Sequence, residues 1–189
     1  CKSLARHRFV WTYFQQVNLL IHGKNLHILH IAPEDAIRDL FLSIPGVHYI
    51  SGDLDSKKAM ETIDICAINY PANSFDLIFC SHVLEHVEDD LQALREFHRV
   101  LSSEGQLMLM VPMLGGKTFQ DPSITNPIDR ERLFGQLDHV RAYGSDFVDI
   151  VAGEGFVVKT FRPNDLVTDE DIRRQQLDVQ DILFVCKKR

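Results

Sequence analysis

The amino-acid sequence predicts an α/β domain in which a mostly parallel sheet is covered by helices on both faces. Two patterns carry that expectation. Short apolar runs of strand length, bounded by turn residues, alternate with longer segments whose apolar residues recur at helical spacing. The central run, Phe75-Asp76-Leu77-Ile78-Phe79-Cys80, is apolar except at Asp76, as a strand buried on both faces requires. A chain of 189 residues, 45% hydrophobic and 25% charged, is long enough to bury one sizeable core.

Taken in order, Arg6 to Ile21 predicts a helix, with Phe9, Val10, Tyr13, Phe14, Val17 and Leu20 on one stripe and His22-Gly23-Lys24 as its stop. Leu26 to Ile31 is a first strand, Ala32-Pro33-Glu34 a turn, and a helix follows to about Ser43. Pro45-Gly46 turns the chain into a second strand, His48 to Leu54. A short third strand ends at Asp64 and Ile65, and the turn at Pro71, Asn73 and Ser74 leads into the fourth, Phe75 to Cys80. Ser81 would open a helix carrying His82 and His86 on one face; the helix that ends near Leu101 starts at His82 or at Glu88, with Leu91, Leu94, Phe97, His98 and Leu101 inside. Gln106 to Val111 is the fifth strand.

From Pro112 to Gly144 the pattern loosens into an insertion, where Asn126, Pro127 and Gly135 mark the cap, first residue and stop of one short helix. Ser145 to Ala152 is helical, Phe156 to Phe161 the sixth strand, Pro163 to Gln180 a polar connection and Ile182 to Cys186 the seventh strand. No full helix separates the last two, so a hairpin-like antiparallel edge is expected. The expectation is therefore a Rossmann-like, seven-stranded, mostly parallel sheet with one antiparallel edge strand. It comprises one domain over residues 1–189, an N-terminal helix within 1–24, and residues 113–144 as an insertion after the fifth strand, placed to act as a lid.

Net charge of −7 argues against a nucleic-acid backbone as partner, because phosphate binding needs a basic surface. No run approaches the ~18 apolar residues of a membrane span. Cys1, Cys66, Cys80 and Cys186 lie far apart, which predicts reduced thiols and a cytoplasmic setting. These readings leave a small molecule as the expected partner.

In open α/β sheets ligands bind beyond the carboxyl ends of the strands. Asp53 ends the second strand, about 20 residues past the first turn, the offset at which a carboxylate accepts from ribose hydroxyls. Asp64 ends the third, where it can accept from an adenine amino group, and Ile65 offers an amide and an apolar face. Together with Asn73 to Val87 (NSFDLIFCSHVLEHV) and Arg95 to Leu101, these positions resemble class I S-adenosylmethionine-dependent methyltransferases over residues 26–112. The resemblance implies S-adenosylmethionine as cofactor. It implies Asp53 and Leu54 near the ribose, Asp64 and Ile65 at the adenine, and Ser81 and His82 on the methionine side. HIAPE (30–34), DPSIT (121–125) and DHVRAYG (138–144) resemble a less-characterised branch, some members of which begin with a cysteine-rich knuckle before a stretch like Ser3 to Arg8. By that likeness Cys1 is the last remnant of such a knuckle.

The glycine-rich turn usual in this family reads Ile31-Ala32-Pro33-Glu34 here, and the acidic residue usual before it is His30. Ala32 is the nearest tolerable substitute for glycine, and Pro33 supplies no amide donor. Glu34 suits a cationic donor better than a pyrophosphate, so it is expected to approach the amino group of S-adenosylmethionine.

Methyl transfer needs a base only for a hydroxyl or ammonium acceptor, and His86, His139 and His82 are the candidates, with Asp138 to orient His139 and Arg141 to hold an anionic acceptor. Trp11, Tyr13 and Phe14 either close over the cofactor or pack the core. Two other readings remain open: a S-adenosylmethionine-binding protein without catalysis, and a zinc hydrolase using His82-x-x-Glu85-His86 from one helix face. No metal is expected on the methyltransferase reading.

Overall fold

The computed structural model describes residues 3–17 and 25–189. Its main sheet has seven strands in the order β3-β2-β1-β4-β5-β9-β8: Glu61–Thr62, His48–Asp53, His27–Ile31, Phe75–Ser81, Leu101–Met110, Leu183–Lys188 and Phe156–Phe161. The first four junctions are parallel. The far edge is an antiparallel pair, as expected; β9 is the reversed strand, and β8 lies outermost.

The pleat divides the core into two layers. Leu29, Ile31, Ile78, Cys80, Leu107 and Leu109 meet Ala93, Leu94, Phe97 and Val100 of α3 (Asp90–Val100) and Phe147 and Val151 of α5 (Phe147–Gly153). On the opposite face Ile28, Leu77, Phe79, Met108 and Met110 meet Phe9 and Phe14 of α1 (Ala5–Gln16) and Ile37 and Phe41 of α2 (Asp35–Leu42). Tyr13 stacks edge-on against Phe161 and Phe14 against Phe41, while Trp11 is exposed. The aromatic stripe of α1 is therefore packing, and none of the three residues covers the strand ends. Leu20, the His22-Gly23-Lys24 stop and Cys1 lie outside the described residues.

Two segments differ from expectation. The chain does not enter a helix at Ser81. β4 runs through Ser81, His82 takes a left-handed φ of 55°, and Leu84–His86 make one 3-10 turn. α3 starts after Asp89, close to the later of the two expected starts, and the Asp89 carboxylate accepts from the Gln92 amide at 2.9 Å, a normal N-cap. The buried stripe shifts accordingly to Ala93, Leu94, Phe97 and Val100, leaving Leu91 exposed. His82 and His86 consequently share no helix face, which removes the geometry a His82-x-x-Glu85-His86 zinc hydrolase needs. The second difference lies in the connection before β9, which holds two short helices, α6 (Pro163–Leu166) and α7 (Asp169–Gln175). Polar composition hid α7 because Ile172 is its one buried residue.

The insertion carries α4 (Pro127–Phe134), capped by Asn126 and stopped by Gly135 at φ 93°, and a two-stranded ribbon of β6 (Phe119–Gln120) and β7 (Arg141–Ala142). Gly144 is packed against the backbone of Lys117 and Gly116, where an added Cβ would fall 2.4 Å from the Lys117 carbonyl carbon. No helix among the described residues is long and apolar enough to cross a membrane.

Candidate active site

Four consecutive loops at the carboxyl ends of β1 to β4 enclose one crevice. Ile31 and Ala32 come from β1, Asp53 and Leu54 from β2, Ile63 to Ile65 from β3, and Val83, His86, Val87 and Glu88 from the turn after β4. Parallel pairing sets Ile31 beside Gly52 and Asp53 beside Thr62, so the carboxylate-bearing ends are neighbours. Gly52 makes this possible: a Cβ there would lie 2.6 to 2.9 Å from Ile63, which fills that space. Asp53 and Asp64 share one local device. Each accepts, through Oδ1, the backbone amide two residues on, from Asp55 and Cys66 respectively, both at 2.8 Å. The second oxygen of each makes no hydrogen bond within the described residues and can accept from a ligand. Ile31, Ile63 and Ile65 are buried beneath them.

The turn that usually carries glycine is held in a conformation that favours glycine. Ala32 has φ 48°, and its amide donates to the Gly52 carbonyl at 2.8 Å. An alanine held there costs about 1 kcal/mol against its Cβ. Ala32→Gly is expected to raise the unfolding free energy from urea titration by up to that amount, despite the added freedom of the unfolded glycine; a lower value would mean that Ala32 makes contacts worth more than the strain.

Glu34, by contrast, lies outside the crevice. Its carboxylate pairs with the Arg6 guanidinium and lies 2.8 Å from His7 Nε2, both on α1. The Leu4 amide donates to His7 Nδ1, so Nε2 carries the ring proton toward Glu34. Burial pushes the Glu34 carboxyl up, but the hydrogen bonds from His7 and Arg6 outweigh it and hold the group at about 2. The expected approach of Glu34 to a cofactor amino group is thus corrected: the side chain ties α1 to the first turn.

Ser81 and His82 also fall outside the crevice lining. Ser81 is buried with an unpartnered hydroxyl, and His82 lines a separate groove with Met110, Met113, Arg162 and Asp181 over the ends of β5 and β9. His86 lines the crevice, and its Nδ1 is 3.2 Å from Asp138 Oδ2. His139 lies against it, rings perpendicular and 4.7 Å apart, with Nδ1 on the Phe134 carbonyl at 2.8 Å. Asp138 thus pairs with His86, not with His139.

Arg141 holds no acceptor. Buried at 2% exposure, it donates to the carbonyls of Leu84, Val87 and Glu88 and to Gln120, and pairs with Asp90 at 3.4 Å. Beside it Tyr143 donates to Asp90 at 2.6 Å, its phenol pushed up by burial and by the Asp90 charge. The Val140 amide adds a bond to the Glu85 carbonyl at 2.9 Å. The insertion therefore fixes the turn that forms one wall of the crevice. Sequence reasoning missed Val83, Val87 and Glu88 as lining, because a helix through them would have turned some of them away.

Residues 30–109 match the family described as Methyltransferase domain. That segment carries the signature of a methyltransferase domain, and the chain has the fold found in S-adenosylmethionine-dependent methyltransferases. A protein of Methanocaldococcus jannaschii is 38% identical over 66 residues, which spans 33% of this chain and 29% of that protein's length. A S-adenosylmethionine-dependent methyltransferase from Mesorhizobium loti superposes with TM-score 0.62 at 19% identity, covering 94% of this chain and 98% of that one. One from Archaeoglobus fulgidus gives 0.63 at 16%, covering 96% and 94%. At such identities the likeness is one of fold, and the reversed β9 strand belongs to that shared fold.

Proposed function

We propose that this methyltransferase binds S-adenosylmethionine in the crevice and transfers its methyl group to a small-molecule acceptor. The observation that carries the reading is the pair of acceptor carboxylates, Asp53 at the end of β2 and Asp64 in the loop two residues past β3, above Ile31, Ile63 and Ile65. The donor set fits the group: carboxylates accept from a ribose diol and an adenine amino group, and isoleucine and valine walls suit a purine face. Ala32, Leu54 and Ile65 complete the proposed cofactor lining. Pro33 provides no amide at the helix start, which removes one of the donors a dinucleotide pyrophosphate would use.

When bound, S-adenosylmethionine supplies a methyl carbon already activated by its sulfonium. What remains for the chain is alignment and exclusion of water. Val83, Val87 and Ile65 exclude water from the crevice, and Asp53 and Asp64 fix its register. His86 and His139 are the groups proposed to meet the acceptor. The acidic surface, net −7, favours a small or cationic acceptor over a polyanion.

Calorimetric titration with S-adenosylmethionine and S-adenosylhomocysteine tests the reading. Asp53→Ala is expected to weaken binding of both by about 1.5–3 kcal/mol, the loss of a charged hydrogen-bond partner, or roughly 10- to 150-fold. Unchanged affinity refutes the ribose assignment, and absence of binding to the unaltered protein refutes the cofactor. Binding without turnover over a panel of acceptors would favour the non-catalytic alternative, for which the eroded glycine turn speaks.

A further inference from the structure

The turn after β4 holds a group that the cofactor reading does not use. Glu85 is buried at 1% exposure, and neither carboxylate oxygen makes a hydrogen bond; its nearest basic neighbour is His82 Nδ1, 3.3 Å away. A buried carboxylate without hydrogen bonds, facing only an imidazole that is a cation when protonated, is costly unless a lasting positive charge compensates it. One donor atom each from Glu85, His86 and His139 lie within 4.8 Å of one another. We propose that these three residues form a binding site for one first-row divalent cation, zinc by preference, at the wall of the cofactor crevice.

Three further features favour the assignment. Two imidazoles and one carboxylate are a donor set for zinc, iron or manganese that leaves coordination positions open. Both histidines already have their outer nitrogen anchored by an oxygen acceptor: His139 Nδ1 on the Phe134 carbonyl at 2.8 Å and His86 Nδ1 by Asp138 Oδ2 at 3.2 Å. Such partners fix ring orientation and leave Nε2 as the ligating atom. Finally, the three residues come from two segments that the structure clamps together, through the Val140 amide on the Glu85 carbonyl and the Arg141 guanidinium on the carbonyls of Leu84 and Glu88. Zinc with bonds of about 2.0–2.1 Å puts its donors about 3.4 Å apart, so closure on the ion needs a contraction of at most about 1.4 Å from the 4.8 Å limit.

His86 lines the crevice, so an open coordination position faces the space where the acceptor would meet the methyl donor. This role, unlike the binding itself, rests on the proposed methyl transfer. An acceptor hydroxyl on the cation loses its proton to water. Its oxygen then forms the C–O bond as the C–S bond breaks onto sulfur, leaving S-adenosylhomocysteine. The two histidines then serve as ligands and the cation replaces a general base.

The test uses chelator-treated protein titrated with Zn2+ against a chromophoric competitor, and with Co2+ followed by its visible absorption. One equivalent is expected to bind with micromolar or lower Kd. His139→Gln should weaken it at least 100-fold, Asp138→Asn about 10-fold, and His98→Gln, remote from the cluster, not at all. Glu85→Gln is a further ligand test; if it fails to fold, His139→Gln carries the result, its integrity read by S-adenosylhomocysteine titration. No binding at about 100 μM Zn2+, or equal binding by His139→Gln, overturns the site. Zinc binding without S-adenosylhomocysteine binding sustains the metal site and removes the cofactor reading instead.

Discussion

Arg141→Met is expected to lower the unfolding free energy by about 3–5 kcal/mol, the range for breaking a buried ion pair and orphaning the groups it satisfied. The buried guanidinium is the common partner of three carbonyls in the turn after β4, at Leu84, Val87 and Glu88, and of Gln120 and Asp90. Methionine restores the volume of the stem but none of those donors. Asp90 keeps only the Tyr143 hydroxyl, and the buried Leu84 carbonyl loses its guanidinium partner, while those of half-buried Val87 and exposed Glu88 can turn to water. Because Val83, Val87 and Glu88 line the crevice, affinity for S-adenosylhomocysteine should fall with stability, which a surface ion pair would not cause. Arg141→Lys should rescue little, since an ammonium cannot present a planar fork to several carbonyls at once. Urea denaturation followed by circular dichroism reads the first effect and calorimetry the second. A loss below about 1 kcal/mol would mean that water or another side chain takes over the turn.

The same arginine marks where sequence reasoning succeeded and where it stopped. The central strands were legible because each is a short apolar run ended by a turn residue, and Asp53 because it ends such a run; β3, the exposed pair Glu61–Thr62, carries no such signal and stops two residues short of Asp64. The Asn126 and Gly135 signals bounded α4 correctly for the same local reason. His82 to Glu88 was not legible. A helix there satisfies the i to i+4 spacing of the two histidines, but the long-range bonds from Arg141 and Val140 favour a 3-10 turn, and no local pattern announces a partner more than fifty residues away. Glu34 failed similarly: its carboxylate looked free in the sequence because Arg6 and His7 reach it from another element. Local signals fix strands and caps; the roles of individual charges depend on what the fold brings beside them.

His30 yields the other large effect. It stands where the family usually carries an acid, yet it is fully buried, with Nδ1 3.0 Å from the Tyr49 hydroxyl and edge-on contacts to Phe41 and Phe79. Burial lowers its pKa from 6.5 to about 3; the nearby Glu34 charge opposes this, and Arg38 and His7 add to it. Below 6.5 the unfolded chain binds a proton that the folded chain refuses until about 3. The contribution is therefore intact above 6.5 and lost as pH falls from 6.5 toward 3, at about 1.4 kcal/mol per unit, or about 3 kcal/mol by pH 4. The Glu34 pair fails later, between its ordinary 4.5 and about 2, so the interval from 6.5 to 4.5 isolates His30 from it. His30→Phe keeps a ring of similar size that cannot take a proton. Its stability should fall less steeply than that of the unaltered protein across that interval, by about 1.4 kcal/mol per pH unit, while His98 and the other histidines contribute equally to both. Parallel curves from urea titrations at pH 6.5, 5.5 and 4.5 would show that His30 takes its proton in the folded state. The buried imidazole would then be a charge tolerated by Tyr49 and Glu34, and the acid normally found at this position would have a cationic successor, not a neutral one.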